Sequence, residues 1–116
     1  MKKIEAVVRN ERFYIVKDAL DKMGVKGFLS YQIQGRGAQK GLVAMGGRGG
    51  GSMDVAGALV GKTKLEIVCD ENEVKKIVDT IASSAKTGQI GDGKIFVSDI
   101  GEVIRIRTGE TGNNAV

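Results

Sequence analysis

The chain has no histidine, no proline and no tryptophan, and a single cysteine among 116 residues. Without histidine the usual proton shuttle of catalytic triads and the commonest zinc ligand are both missing, which removes most of those chemistries. Cys69, placed mid-strand by its neighbours, reads as a small buried hydrophobe in a reducing compartment. Aromatic residues make up only 4% against a hydrophobic content of 41%, so the core must be aliphatic. No apolar run approaches the roughly 20 residues that span a bilayer. Met1-Lys-Lys leads into an alternating strand pattern, not into the apolar segment of a secretion signal. The expectation is a cytoplasmic protein without direct membrane insertion.

Glycine, by contrast, is abundant and unevenly spread. Ten of the eighteen glycines lie between Gly35 and Gly61. Strand and helix interiors disfavour so free a backbone, and structureless loops beyond about 12–15 residues are usually functional or disordered. One domain over residues 1–116 is expected, displaying an arm over about 37–61. The net charge of +4 suits nucleic acid, nucleotide phosphates or an acidic partner without choosing among them.

Around the arm the patterning is regular. Ile4, Ala6 and Val8 alternate with Glu5, Val7 and Arg9, the period of a strand with one buried face. Asn10 is placed to cap a helix marked by Phe13, Val16, Leu20 and Met23 and ended by Gly24. Phe28 to Gln34 returns to strand character with Leu29, Tyr31 and Ile33 on one face, and Leu65, Ile67 and Cys69 mark a third strand. Asp70 and Glu73 resemble a capping box before the stripe Val74, Ile77, Val78, Ile81, Ala82 and Ala85, which Gly88 closes. Lys94 to Arg107 reads as a long strand interrupted near Asp99–Gly101, and the tail from Thr108 to residue 116 as loose. Two βαβ halves in tandem predict the α+β, ferredoxin-like βαββαβ fold, a four-stranded antiparallel sheet with both helices on one face. The open face would carry Val7, Phe28, Val68 and Phe96, so a homo-oligomer packing its sheets inward is expected.

Four segments carry chemistry suited to anions. Gly35-Arg-Gly-Ala-Gln-Lys-Gly41 lacks the order of a P-loop and opens no helix, so alone it reads as a glycine-rich turn as readily as a phosphate cradle. Gly88-Gln-Ile-Gly91-Asp92-Gly93-Lys94 can converge backbone amides on an anion, or can be a helix C-cap and turn. Arg105 and Arg107, two apart on a presumed strand, project to one face, where paired guanidiniums ask for an anion between them; a solvated face with Glu102 is the alternative. Lys62 stands at the base of the arm. No nucleophile–base pair is present, which points to binding without catalysis. An RNA-recognition module on the same topology would stack bases on central-strand aromatics, and only Phe96 and Tyr31 are available.

Gly35-Arg-Gly-Ala-Gln-Lys-Gly41, Lys62-Thr-Lys-Leu-Glu-Ile-Val68, Thr87-Gly-Gln-Ile-Gly-Asp-Gly-Lys-Ile-Phe96 and Val103-Ile-Arg-Ile-Arg-Thr-Gly109 strongly resemble the PII signal-transduction family. The similarity runs from Met1 to about Gly109. It implies a homotrimer of ferredoxin-like subunits, each extending a T-loop, with ATP or ADP competing for clefts between subunits, and in many members Mg2+ and 2-oxoglutarate at the loop base. Carried over by position, Gly91, Asp92, Gly93 and Lys94 would hold phosphates, with Arg105 and Arg107 reaching them from the neighbouring subunit. Gly35, Gly37 and Val68 would line the nucleotide, and Ala38 would lie next to its terminal phosphates. Gln39 would meet Mg2+ and 2-oxoglutarate, with Lys40 and Lys62 near the carboxylates.

The resemblance has departures. Relatives usually carry arginine or lysine where Ala38 stands, which implies weaker discrimination of ATP from ADP, and the usual threonine near the adenine is Leu29. The tip Met45–Met53 has no tyrosine, which excludes uridylylation there; Ser52 reads as a linker residue more than a phosphoacceptor. Arg48 at the tip resembles the T-loop arginine that related proteins insert into an ammonium channel. The expected partner is thus a membrane transporter, with a soluble nitrogen-metabolism enzyme or a nitrogenase as the alternative.

Overall fold

The computed structural model describes residues 1–37 and 59–116, and every structural statement below refers to those residues. In chain order the elements are β1 (Lys2–Val8), α1 (Phe13–Lys22), β2 (Leu29–Gly35), β3 (Val60–Cys69), α2 (Val74–Ala85) and β4 (Lys94–Asp99). The four strands form one sheet in the order β2-β3-β1-β4, antiparallel throughout. Each βαβ half skips one position in the sheet, which is the expected ferredoxin-like arrangement.

Strand alternation decides which face the helices cover. Ile4, Ala6 and Val8 of β1 and Leu65, Ile67 and Cys69 of β3 are buried against Val16 and Leu20 of α1 and Ile77, Ile81 and Ala85 of α2. Thus every second residue of the central strands points into one aliphatic layer, as a period of two requires. Ala82, expected in the α2 stripe, is exposed. Cys69 is 3% exposed and burial pushes its thiol pKa up, so it behaves as an inert core residue.

The opposite face is built differently from the apolar surface expected. Phe28 does not lie there: it packs on the core, edge-on to Phe13 of α1 at 6.5 Å. Register places Leu29, Tyr31 and Ile33 there instead, opposite Glu66, Lys64 and Lys62. Glu5 and Lys3 of β1 join them, with Lys64 Nζ 2.6 Å from Glu5 and Lys3 Nζ 3.5 Å from Glu66. Val7, Val68 and Phe96 are thus set among crossed ion pairs.

Three local details also differ from expectation. Asn10 makes no side-chain cap; the chain takes a 3-10 turn at Asn10–Arg12, and Asn10 Oδ1 accepts a 2.7 Å hydrogen bond from the buried hydroxyl of Thr63. Asp70 does cap its turn, accepting from the Asn72 amide at 2.9 Å, but α2 proper begins only at Val74. The segment after β4 is not a strand. It bridges back on itself at Ile104 and Thr111, and the tail forms a 3-10 turn at Gly112–Ala115 whose Asn113 side chain donates to Asp70.

Candidate functional site

The turn from α2 into β4 is shaped by three glycines with positive φ, Gly88 (+90°), Gly91 (+102°) and Gly93 (+105°). At Gly93 the need is steric as well: a Cβ there would fall 1.8 Å from the carbonyl oxygen of Val7. Only glycine lets β4 enter this close to β1.

Asp92 ties the turn together. Its carboxylate accepts from Arg9 Nε at 3.0 Å, from the Thr87 and Gly88 amides at 2.9 Å each, and from the Thr87 hydroxyl. Burial alone would raise its pKa, but these donors outweigh burial and hold it well below the usual carboxylate range. The side chain of Asp92 is therefore engaged within the turn, and what it can offer an anion is its backbone.

Two cations support the turn from beneath. Arg9 Nη2 donates to the Ile90 carbonyl at 2.6 Å, and Lys62 Nζ donates to the carbonyl of Gly91. In a planar trans peptide the N–H points opposite to the C=O, so the amides of Gly91 and Asp92 are turned away from the cations, to the outer side of the loop. Burial, and then the neighbouring charge of Arg9, push the Lys62 pKa down. Arg9 is itself paired with Asp92, so part of its charge is already compensated within the turn.

Lys94 begins β4 opposite Val7, which is itself opposite Lys64, and Lys62 lies opposite Ile33. Gly35 closes β2 opposite Val60. Thus Gly35, Lys62, Gly91, Asp92, Gly93 and Lys94 share one end of the sheet, together with Arg9. Val68 does not join them: it sits opposite Lys3, six residues up β3 from Lys62, or about 20 Å. Gly37 is the last described residue before the arm. Ala38, Gln39, Lys40, Arg48 and Ser52 lie outside the described residues.

Arg105 and Arg107 do not stand side by side on a strand. β4 ends at Asp99, and the arginines belong to a turn closed by Gly109 N to Arg105 O and by Arg105 N to Glu110 O, each 2.8 Å. Gly109, with φ at +73°, reverses the chain where the sequence pattern suggested an extended run. Arg105 Nη1 is 3.0 Å from Glu110 Oε1, and Arg107 makes no side-chain bond among the described residues. This segment is anchored at the far end of the sheet, through Ile100 N to Met1 O and Asn113 to Asp70.

Arg9, Thr87 and Glu110 were not picked out as site residues from the sequence. Arg9 was legible as a cation just past a strand end. Thr87 stood only as the first residue of the run Thr87–Phe96 and Glu110 carried no signal, because their roles depend on chain reversals at Gly88 and Gly109.

The family model "Nitrogen regulatory protein P-II" matches residues 1–110. "Nitrogen regulatory protein P-II 1" of Methanothermobacter thermautotrophicus is 45% identical over 116 residues, covering 100% of this chain and 97% of its own. "Nitrogen regulatory protein P-II" of Nostoc punctiforme is also 45% identical, with both chains fully covered. Among solved structures, Arabidopsis thaliana PII bound to citrate superposes with a TM-score of 0.77 at 37% identity, over 99% of this chain and 91% of that one.

Proposed function

Because the chain belongs to the nitrogen regulatory protein P-II family, non-catalytic signal transducers of nitrogen metabolism, we propose that it reads adenine nucleotides in clefts between the subunits of a homotrimer. ATP and ADP compete for each cleft, and the arm between β2 and β3 reports which is bound to a target protein. The observation that carries this reading is the turn at Gly91–Lys94, supported from beneath by Arg9 and Lys62 with its amides facing outward. Such a turn suits phosphate oxygens. Arg105 and Arg107 are anchored toward the other end of the sheet, so a polyphosphate touching both groups would take its arginines from a neighbouring subunit.

The target we favour is a membrane transporter met at the cytoplasmic side through Arg48. No helix among the described residues is long and apolar enough to cross a membrane, so on this reading any membrane association runs through the target. An alternative is a 2-oxoglutarate-responsive regulator of a soluble nitrogen-metabolism enzyme or nitrogenase. The lowered pKa of Lys62 beside Arg9 favours a carboxylate at the loop base, and the Arabidopsis relative was solved with citrate, itself a polycarboxylate. Gln39 and Lys40 would complete that site and Gln39 would meet Mg2+ accompanying ATP, on the strength of the family resemblance. Nucleic acid fits poorly: Glu5 and Glu66 lie on the face that bears Phe96 and Tyr31, and the Tyr31 hydroxyl is bound to Glu66.

Calorimetric titration with ATP, ADP and 2-oxoglutarate, with and without Mg2+, tests this. Competing heats from ATP and ADP support the reading, and no heat from either would end it. Heat from 2-oxoglutarate only beside Mg-ATP would move the balance to the alternative. Affinity capture from lysate and membranes then separates the targets, a soluble enzyme alone counting against the transporter.

A further inference from the structure

Arg105 is already paired in the free chain. Its Nη1 lies 3.0 Å from Glu110 Oε1, and that same carboxylate oxygen accepts from the Thr108 hydroxyl at 2.8 Å. The turn that carries both partners fixes their approach, through Arg105 N to Glu110 O and Glu110 N to Thr108 Oγ1. Glu110 thus offers Arg105 one anionic oxygen at hydrogen-bond distance, the kind of partner that a phosphate oxygen would also be. We propose that Glu110 is an internal competitor for the Arg105 guanidinium, so that an incoming phosphate must displace a built-in carboxylate and the affinity of the site is set below its ceiling. This deepens the proposed function and rests on its assignment of Arg105 to nucleotide phosphate.

Three observations favour competition over mere support. The pair is open to solvent on both sides, with side-chain exposures of 40% and 46%, so it is exchangeable. Arg107, two residues on, has no such partner among the described residues, so the restraint is specific to one of the two arginines. The backbone bonds that close the turn do not involve the Glu110 carboxylate, so the turn can persist after the pair opens. The Thr108 hydroxyl can keep its bonds to Glu110 when the pair opens, so the displaced carboxylate has a resting place within the turn. A polyphosphate carries more charge than one carboxylate and wins the exchange, whereas a singly charged anion gains little from it.

The test is calorimetric titration of the full chain with ATP, ADP and inorganic tripolyphosphate. Glu110→Gln should tighten all three by about 2- to 5-fold, the range that a partly exposed ion pair is worth. Glu110→Asp should stay near the parent. Unchanged or weaker binding by Glu110→Gln would overturn the proposal, weaker binding meaning that Glu110 positions Arg105 instead of competing for it. Arg105→Ala separates this outcome from failure of the underlying assignment: if Arg105→Ala leaves ATP affinity intact, Arg105 does not meet nucleotide at all. Should Glu110→Gln not fold, Thr108→Val loosens the carboxylate by removing its hydroxyl anchor. It should tighten binding in the same direction, and no tightening would count against the proposal.

Discussion

Arg9 Nε and Asp92 Oδ1 lie 3.0 Å apart although 83 positions separate them in the chain. This pair joins the end of β1 to the turn before β4, and so fixes the turn relative to the sheet end where Lys62 also stands. Replacing Asp92 with asparagine turns an acceptor of four hydrogen bonds into a group with donors of its own. Asp92→Asn should cost about 1–3 kcal/mol of stability at neutral pH.

The pH dependence of that cost has a definite sign. The folded-state pKa of Asp92 is depressed, so its contribution is complete above the unfolded value near 3.8 and is lost as pH falls below it. Urea denaturation of parent and Asp92→Asn between neutral and strongly acidic pH should show a stability gap that narrows only below that value. A gap constant across the range would contradict the assignment.

Gly93 and Gly91 both have positive φ, but their surroundings differ. A Cβ at Gly93 meets the Val7 carbonyl at 1.8 Å, whereas at Gly91 the nearest atom is Arg9 Nη2 at 3.2 Å, the end of a flexible side chain. Gly91→Ala should cost about 1–2 kcal/mol from backbone strain. Gly93→Ala should cost at least about 3 kcal/mol, or prevent folding, because β4 must separate from β1. Equal losses in thermal or urea denaturation would show that close approach plays no part.

Lys62 sits partly buried beside Arg9, with its pKa pushed down by burial and then by that neighbour. Its charge should therefore begin to fade below the ordinary lysine range as the solution becomes alkaline. ATP affinity of the parent should decline before the ordinary lysine range is reached, and Lys62→Met should bind more weakly at neutral pH while losing that early decline. A pH profile shared by parent and variant would remove Lys62 from the site.

Much of this molecule was legible without coordinates. Period-two alternation at Ile4, Ala6 and Val8 and the helical spacing of Val16 with Leu20 are direct readouts of burial, and they produced the strand and helix order. Gly24 marked the end of α1 because the left-handed backbone it adopts is costly for other residues, whereas α2 ends at Ala85 and Gly88 lies in the turn that follows. The face of Phe28 was not legible, because the alternation of Leu29, Tyr31 and Ile33 separates two faces without saying which one the helices cover; Phe28, just before β2, packs on the core side. The segment 103–107 was misread because Val103, Ile104 and Ile106 supply a strand-like pattern, while the reversal at Gly109 depends on backbone bonds to residues further along. The glycines and cations of the candidate site stood out in the sequence, and their engagement of a nucleotide is the proposal. The internal carboxylates at Asp92 and Glu110, which hold those cations in place, emerge only when distant segments meet.

On the proposed function, one polyphosphate is gripped by Lys94 of one subunit and by Arg105 and Arg107 of the next, and subunit mixing can show whether that cleft is shared. Lys94→Ala and the double variant Arg105→Ala/Arg107→Ala should each bind ATP poorly, and unfolding and refolding them together should restore a population of full-affinity sites in a trimeric assembly. If the mixture binds no better than its two components, or if either variant alone binds as the parent does, the shared cleft does not exist.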